Sequence, residues 1–301
     1  MLTSPNTEPN LRRALEEARN LLAAGAHAGR ARRDAETLLL HALRQQAPQA
    51  NLAWLIAHDG EMLAAEAATQ FRALIERRLA GEPIQYITGE AEFYGLPFQV
   101  NRDVLIPRPE TELVVEKVIA LARRHGQSSA ATEARIVDVG TGSGAIAVAL
   151  AHALPRAHIT AVDLSAAALG VAKANAERHG VGNRIRFVAG DLLAPAAAEQ
   201  FDFVVSNPPY VPEGDRATLD AEVRDYEPAQ ALFAGQDGLA VYRRLLPQAF
   251  NALAPGGWVL LEIGYGQQEP IGALLAGEGF AGIVFSRDLQ GIARVAMAAR
   301  R

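Results

Sequence analysis

The tetrapeptide Asn207-Pro208-Pro209-Tyr210 follows directly on an apolar, strand-like run, Phe201 to Ser206. Neither proline can donate a hydrogen bond and both hold the chain extended, so the carbonyls of Asn207 and Pro208 are presented at fixed positions. A planar amino group conjugated to a carbonyl or a ring has a delocalised lone pair and is a poor nucleophile. The Asn207 side-chain oxygen and the Pro208 carbonyl, each accepting one of its two N–H bonds, would orient that lone pair. They would also stabilise the positive charge that grows as a methyl group arrives. Tyr210 would lay its ring against the planar group. No strong base is needed, because the nitrogen becomes acidic only once it has been alkylated.

A second constellation lies upstream. The strand-like Ile136-Val137-Asp138-Val139 runs into Gly140-Thr141-Gly142-Ser143-Gly144 and then into an apolar helix, Ala145 to Leu154. Glycines let backbone turn sharply and approach a ligand, and the helix start offers free N–H groups to an anion, either a pyrophosphate or a carboxylate. With Ala145 in the last position the loop satisfies a relaxed dinucleotide fingerprint, so alone it does not separate NAD from S-adenosylmethionine. Asp163 ends the next strand-like run about twenty residues on, where a carboxylate would accept from both ribose hydroxyls. Asp191, in Val188-Ala189-Gly190-Asp191-Leu192, ends a third; it would accept from an adenine amino group while Leu192 covers the ring. Either acid alone is as readily a turn residue or a helix cap. Three such sites at the ends of three successive strands converge on one crevice.

The elements that must position these groups follow from periodicity. Leu11, Leu15, Ala18 and Leu22 recur at spacings of three and four, and the same period returns in Ala35 to Leu43 and Met62 to Leu79. This predicts a bundle of about three to five helices. After Gly81-Glu82-Pro83, the segment from Glu90 to Val100 reads as a short hairpin or irregular connector. Ile106-Pro107-Arg108-Pro109-Glu110-Thr111-Glu112 then opens a helix to about Arg124, its acids in the first turn. Beyond Ala134, strands at Ile136–Val139, Ile159–Val162, Ile185–Val188 and Phe203–Val205 alternate with helical segments. That alternation predicts a parallel sheet covered on both faces, with a ligand crevice at the carboxyl ends of its strands. Trp258 to Ile263 is a further strand, and Ile283–Phe285 with Ile292–Met297 form a closing pair.

These residues carry a resemblance. Asp138 to Gly144, Asp163, Asp191 and Asn207 to Tyr210 resemble the class I S-adenosylmethionine-dependent methyltransferases that act on planar amide or amino nitrogens. The closer similarity is to the HemK/PrmC family, the release factor glutamine N5-methyltransferases. It spans nearly the whole chain and rests most on Ile106 to Glu112 and on Leu261-Glu262-Ile263-Gly264-Tyr265-Gly266-Gln267. The resemblance implies an α/β fold, a seven-stranded Rossmann-like methyltransferase sheet with its last strand antiparallel, behind a small N-terminal all-α domain. The expected division is 1–82 for a helical substrate-recognition domain, 83–108 for linker and hairpin, and 109–301 for the methyltransferase domain. The implied substrate is the glutamine of the Gly-Gly-Gln loop in class 1 peptide chain release factors, and the implied product is S-adenosylhomocysteine. Gly140, Thr141, Gly142, Ser143 and Gly144 would then cradle the methionine end of the cofactor, and Asp163 would hold its ribose. Asp191 and Leu192 would border the adenine. Asn207 would meet both cofactor and substrate, with Pro208, Pro209 and Tyr210 completing the substrate site. Arg108 and Glu110 would shape the entrance or pair with each other.

Composition separates the alternatives. A chain of 301 residues without cysteine excludes thiolate metal sites, disulfides and a cysteine nucleophile. Its seven histidines, at 27, 41, 58, 125, 152, 158 and 179, form no ligand spacing, so no metal is expected. No apolar run serves as a signal peptide or approaches the ~20 residues of a membrane span, so a soluble cytoplasmic protein is expected; separately, a monomer is expected. Methylation of adenine or cytosine in DNA or RNA uses a similar tetrapeptide on a flipped base. Charge argues against it: the net −5 falls outside the helical region, and Val211 to Gln230 carries six acids against Arg216 and Arg224. A phosphate backbone would be repelled there, and a basic protein loop attracted. Methylation of a ribosomal-protein glutamine would use the same residues. A binding module that uses the glycine loop alone, for NAD or otherwise, leaves Asn207 to Tyr210 without a role.

Overall fold

The computed structural model describes residues 9–125 and 133–301; the first eight residues of the expected helical domain lie outside the described residues. The described chain divides into two units, one running to Gly89 and taking in Ala221–Tyr226, the other holding Glu90–Asp220 and Glu227–Arg301.

The first unit is helical. Asn10 caps α1 (Leu11–Ala23), its side chain accepting from the Arg13 N–H, which satisfies one of the amides a helix start leaves unpaired. Next come α2 (Ala31–Leu43), α3 (Leu52–Ala57), α4 (Ala65–Leu79) and α5 (Ile84–Thr88), which stops at Gly89 with φ +74°. Leu11, Ala14, Ala18 and Leu22 form the buried stripe of α1, and they meet Leu38, Leu39, Phe71, Leu74 and Ile75 from α2 and α4. Leu39 is fully buried, so Leu39→Ala should cost about 3 kcal/mol, read as a lower denaturant midpoint with an unchanged slope.

Charge is buried in this unit as well. The Arg78 side chain is 0% exposed; its Nε donates to Asp34 at 2.7 Å and its Nη1 lies 2.8 Å from Glu222 and 3.0 Å from the Glu82 carbonyl. His27 Nε2 stands 3.0 Å from the same Glu222. Glu222 belongs to α9 (Ala221–Tyr226), and Tyr226 of that helix donates to the Ala80 carbonyl. The expected division at 109–301 puts 221–226 in the methyltransferase domain; the buried arginine and these contacts hold it in the helical unit instead.

The second unit opens with the hairpin β1 (Glu90–Phe93) and β2 (Leu96–Gln99), then α6 (Glu112–His125). Its sheet strands are β3 (Arg135–Val139), β4 (His158–Asp163), β5 (Ile185–Ala189), β6 (Phe201–Ser206), β7 (Leu253–Glu262), β8 (Ala281–Arg287) and β9 (Ala293–Ala299). The helices between them are α7 (Ala145–Ala153), α8 (Ala166–Arg178), α10 (Ala240–Ala252) and α11 (Gln268–Gly277). The strand order is β5-β4-β3-β6-β7-β9-β8, with β3 to β7 parallel and the chain's last strand, β9, antiparallel to both neighbours. Side chains alternate between two cores: Ile136, Phe203, Val205 and Leu260 face α6 and α7, while Val137, Val139, Val204, Val259 and Leu261 face α10 and α11. This is the period of two expected of strands buried on both faces.

β7 begins five residues before the expected Trp258. Leu253 already pairs with Phe201, and the strand passes through Pro255-Gly256-Gly257 across an irregularity in register. Gly257 is required there, since a Cβ would meet the Ala254 and Asp202 carbonyls at 2.9 and 3.0 Å. The strand order turns at β3, whose two neighbours β4 and β6 lead away in opposite directions. A crevice must open there, above the carboxyl ends of β3 and β6. No helix among the described residues is long and apolar enough to cross a membrane.

Candidate active site

The loop after β3 and the tetrapeptide after β6 open onto one cavity of about 380 Å³, within the range of small-molecule sites. Its wall includes Gly140, Thr141, Gly142, Ser143, Asp163, Asp191, Leu192, Asn207 and Pro209, together with Thr111 from the turn before α6. Gly144, Pro208 and Tyr210 are not part of that wall.

Each glycine of the loop has its own reason. Gly140 and Gly142 take φ +71° and +54°, and a Cβ on either would meet nothing within 4 Å, so open space lies against the backbone. Gly144 differs: a Cβ there would lie 3.0 Å from Ala172 Cβ, so its smallness lets α7 pack on α8. The loop amides do not wait for an anion. Gly140 and Thr141 donate to the Val162 carbonyl, at 2.8 and 3.0 Å, and Gly142 donates to Asp163 Oδ2 at 2.9 Å. These three amides precede the helix start at Ala145, and β4 takes them to hold the loop's shape. Asp163 also accepts from Ser165 N, at 2.8 Å. A carboxylate offers about four acceptor positions, so roughly two remain for a diol.

Asp191 is exposed and ion-paired with Arg244; such a surface pair contributes under about 1 kcal/mol and yields readily to another partner. Leu192 takes φ +51°, a conformation costly for a branched side chain, which fixes its place on the cavity wall. Burial pushes the Asp138 carboxyl up to about 7, against the hydrogen bond it accepts from Thr141 Oγ1 at 2.7 Å.

The tetrapeptide is held from behind. Ser206 Oγ donates to the Val139 carbonyl at 2.6 Å, tying β6 to β3 just before the motif. Gln267 Nε2 donates to the Tyr210 carbonyl at 3.0 Å while its Oε1 accepts from Gly264 N. Gly238 completes this packing, since a Cβ there would stand 2.3 Å from the Tyr210 carbonyl oxygen. The Tyr210 hydroxyl donates to Glu262 Oε1 at 3.3 Å, and the Asn207 Nδ2 amide donates to Thr111 Oγ1 at 3.0 Å. Thr111 in turn donates to Glu262 Oε2 at 2.5 Å. Glu262 is buried, and burial pushes its carboxyl up to about 7. Burial and the neighbouring Glu262 push the Tyr210 hydroxyl well above the usual phenol range.

Arg108 does not pair with Glu110. Its Nη2 donates to the buried Glu227 at 2.5 Å, and Glu227 also accepts from Ile106 N at 3.2 Å. This changes the weight of the acidic stretch after the motif. Glu222 is matched by Arg78 and Arg30, and Glu227 by Arg108, all from outside Val211 to Gln230. Glu213 and Asp225 have Arg216 and Arg224 beside them. The negative excess near the site is thus smaller than the local sum implies. Sequence reasoning on residue types assigned no role to Thr111, Glu262 or Gln267, although all three fall inside the two stretches that carry the family likeness.

The sheet order, the switch at β3 and the crevice above it are those of the class I methyltransferase fold. Two family models match, "PrmC N-terminal domain" over residues 13–89 and "Methyltransferase small domain" over residues 121–224. A release factor glutamine methyltransferase of Bradyrhizobium diazoefficiens is 41% identical over 307 residues, covering 100% of this chain and 99% of its own. Another, from Moorella thermoacetica, is 47% identical and covers 87% of this chain and 88% of its own. Among solved structures, a T. thermophilus 16S rRNA N2 G1207 methyltransferase in complex with AdoMet and guanosine shares the fold, with TM-score 0.51 and 21% identity over 70% of this chain and 50% of that one. The chain belongs to the release factor glutamine methyltransferase family.

Proposed function

We propose that the protein transfers a methyl group from S-adenosylmethionine to the side-chain amide nitrogen of the glutamine in the Gly-Gly-Gln loop of class 1 peptide chain release factors. The observation that carries this is Asn207 on the wall of the same cavity as Gly140 to Ser143 and Asp163. The open space at Gly140 and Gly142 and the spare acceptor positions of Asp163 suit a nucleoside bearing an amino-acid chain. When bound, S-adenosylmethionine supplies an electrophilic methyl on a sulfonium sulfur and leaves as neutral S-adenosylhomocysteine.

The protein's part is to hold and aim the nucleophile. Asn207 Oδ1 accepts one N–H of the glutamine amide and the Pro208 carbonyl the other, which turns the nitrogen lone pair toward the methyl group. Both oxygens stabilise the charge that develops on nitrogen, and the extra proton then passes to water, since the alkylated amide is strongly acidic. The helical unit, residues 9–89 with 221–226, is assigned to grip the release factor, and the reaction belongs to the cytoplasm, where translation ends.

The test is incubation with methyl-labelled S-adenosylmethionine and, in parallel, a release factor, its Gly-Gly-Gln Gln-to-Ala variant, a ribosomal-protein substrate and duplex DNA. Label is expected on the intact release factor alone. Label on DNA, or undiminished label on the variant factor, would overturn the reading.

A further inference from the structure

Thr111 Oγ1 stands between two groups, 3.0 Å from Asn207 Nδ2 and 2.5 Å from Glu262 Oε2. A hydroxyl has one hydrogen. An ionised carboxylate is acceptor only and the stronger claimant, so the hydrogen goes to Glu262. The hydroxyl oxygen is then left with lone pairs toward Asn207, and only the NH2 end of that amide can face it. Among the described residues Asn207 Oδ1 accepts no hydrogen bond, and the residue borders the cavity. We propose that Thr111 and Glu262 are positioning residues that fix which end of the Asn207 amide meets the substrate: Glu262 polarises Thr111, Thr111 holds Asn207 Nδ2, and Oδ1 is thereby presented as the acceptor. This rests on the reading of Asn207 as the group that holds the substrate amide.

The direction of the relay depends on the charge of Glu262. A protonated carboxyl can donate to Thr111, freeing the hydroxyl hydrogen to point at Asn207, which then turns its oxygen away from the substrate. Burial holds the Glu262 carboxyl up to about 7, so the productive arrangement is gained as pH rises through that value. The other groups facing Glu262 are the Tyr210 hydroxyl, which donates to Oε1, and the Tyr242 hydroxyl of α10, which donates to the Glu262 main-chain oxygen at 2.7 Å. Glu110 and Arg294 act on it only through their charges, in opposite senses, and Arg294 is ion-paired with Asp288.

Methyl transfer to a release factor, measured as kcat and KM from pH 6 to 8.5 beside S-adenosylhomocysteine affinity, tests the relay in full-length Thr111→Val, Thr111→Ser, Glu262→Gln and Asn207→Ala proteins. Thr111→Val, nearly isosteric, is expected to lower kcat about 10–100-fold with cofactor affinity within about twofold, and Thr111→Ser to restore it to within about threefold. Wild-type kcat should rise with pH through about 7; Glu262→Gln, which has no proton to lose there, should show no such limb. A wild-type kcat in Thr111→Val, a Thr111→Ser protein as slow as Thr111→Val, or an unchanged pH limb in Glu262→Gln would each overturn the relay. The underlying reading fails separately: if Asn207→Ala keeps the wild-type rate, Asn207 does not hold the substrate. If Asn207→Ala is slow while Thr111→Val is fast, only the relay is wrong.

Discussion

Asn207→Ala should slow methyl transfer about 10²–10³-fold and leave S-adenosylhomocysteine affinity within about twofold, the pattern of a contact that matters only as charge develops. The size follows from the geometry. A glutamine amide is a weak nucleophile whose lone pair is shared with its carbonyl, so the oxygen that orients it and meets its growing positive charge stabilises the transition state far more than the ground state. Removing one preorganised hydrogen-bond partner of this kind costs about 2.7–4 kcal/mol in the barrier. The fold should tolerate the change, because Asn207 is only half-buried and Thr111 keeps its bond to Glu262. Single-turnover rates with saturating release factor, beside equilibrium binding of S-adenosylhomocysteine, read the two quantities apart. Loss of cofactor binding with a normal single-turnover rate would place Asn207 on the cofactor instead.

The parts of this site that local pattern reveals are those whose cause is local. The glycines from Gly140 to Gly144 free their own backbone to turn and the two prolines fix theirs, and short branched runs such as Ile136 to Val139 read as strands. Their convergence follows from alternation, since parallel strands joined by helices put their carboxyl ends on one side. Residue types and spacing do not reveal groups whose meaning lies in a distant partner. Thr111 meets Asn207 across 96 residues and Glu262 across 151, and a threonine after two prolines or a glutamate ending a strand is unremarked until the sheet brings them together. The same limit explains the charge of Val211 to Gln230. Summed locally the stretch is strongly acidic, yet Arg78 and Arg108, each more than a hundred residues upstream, neutralise two of its acids. A charge sum along the chain approximates a surface potential only where the charges stay on the surface.

Arg78→Met carries the largest stability loss expected in the chain, about 3–5 kcal/mol, because it removes the only guanidinium among the described residues that both Asp34 and Glu222 contact at hydrogen-bond distance. Methionine replaces most of the aliphatic stem, so lost packing is minor; what remains is the buried Asp34 carboxylate without its cation and the half-buried Glu222 carboxylate without its nearest guanidinium. Glu222 would retain Arg30 at 3.7 Å and His27 at 3.0 Å, whereas the buried Asp34 would have neither. Chemical denaturation of the full-length protein should show the loss as a lower midpoint. If charge is the cause, then Asp34→Leu and Glu222→Leu added to Arg78→Met should recover much of it, since an apolar trio of similar volume needs no compensation. A triple variant no more stable than the single one would instead assign the loss to packing. The outcome also bears on α9. Glu222 is the residue through which this short helix, only a dozen residues beyond Tyr210, enters the buried charge cluster of the helical unit. In the single variant α9 should therefore open first, seen as faster amide exchange over 221–226 at denaturant concentrations where the sheet stays protected.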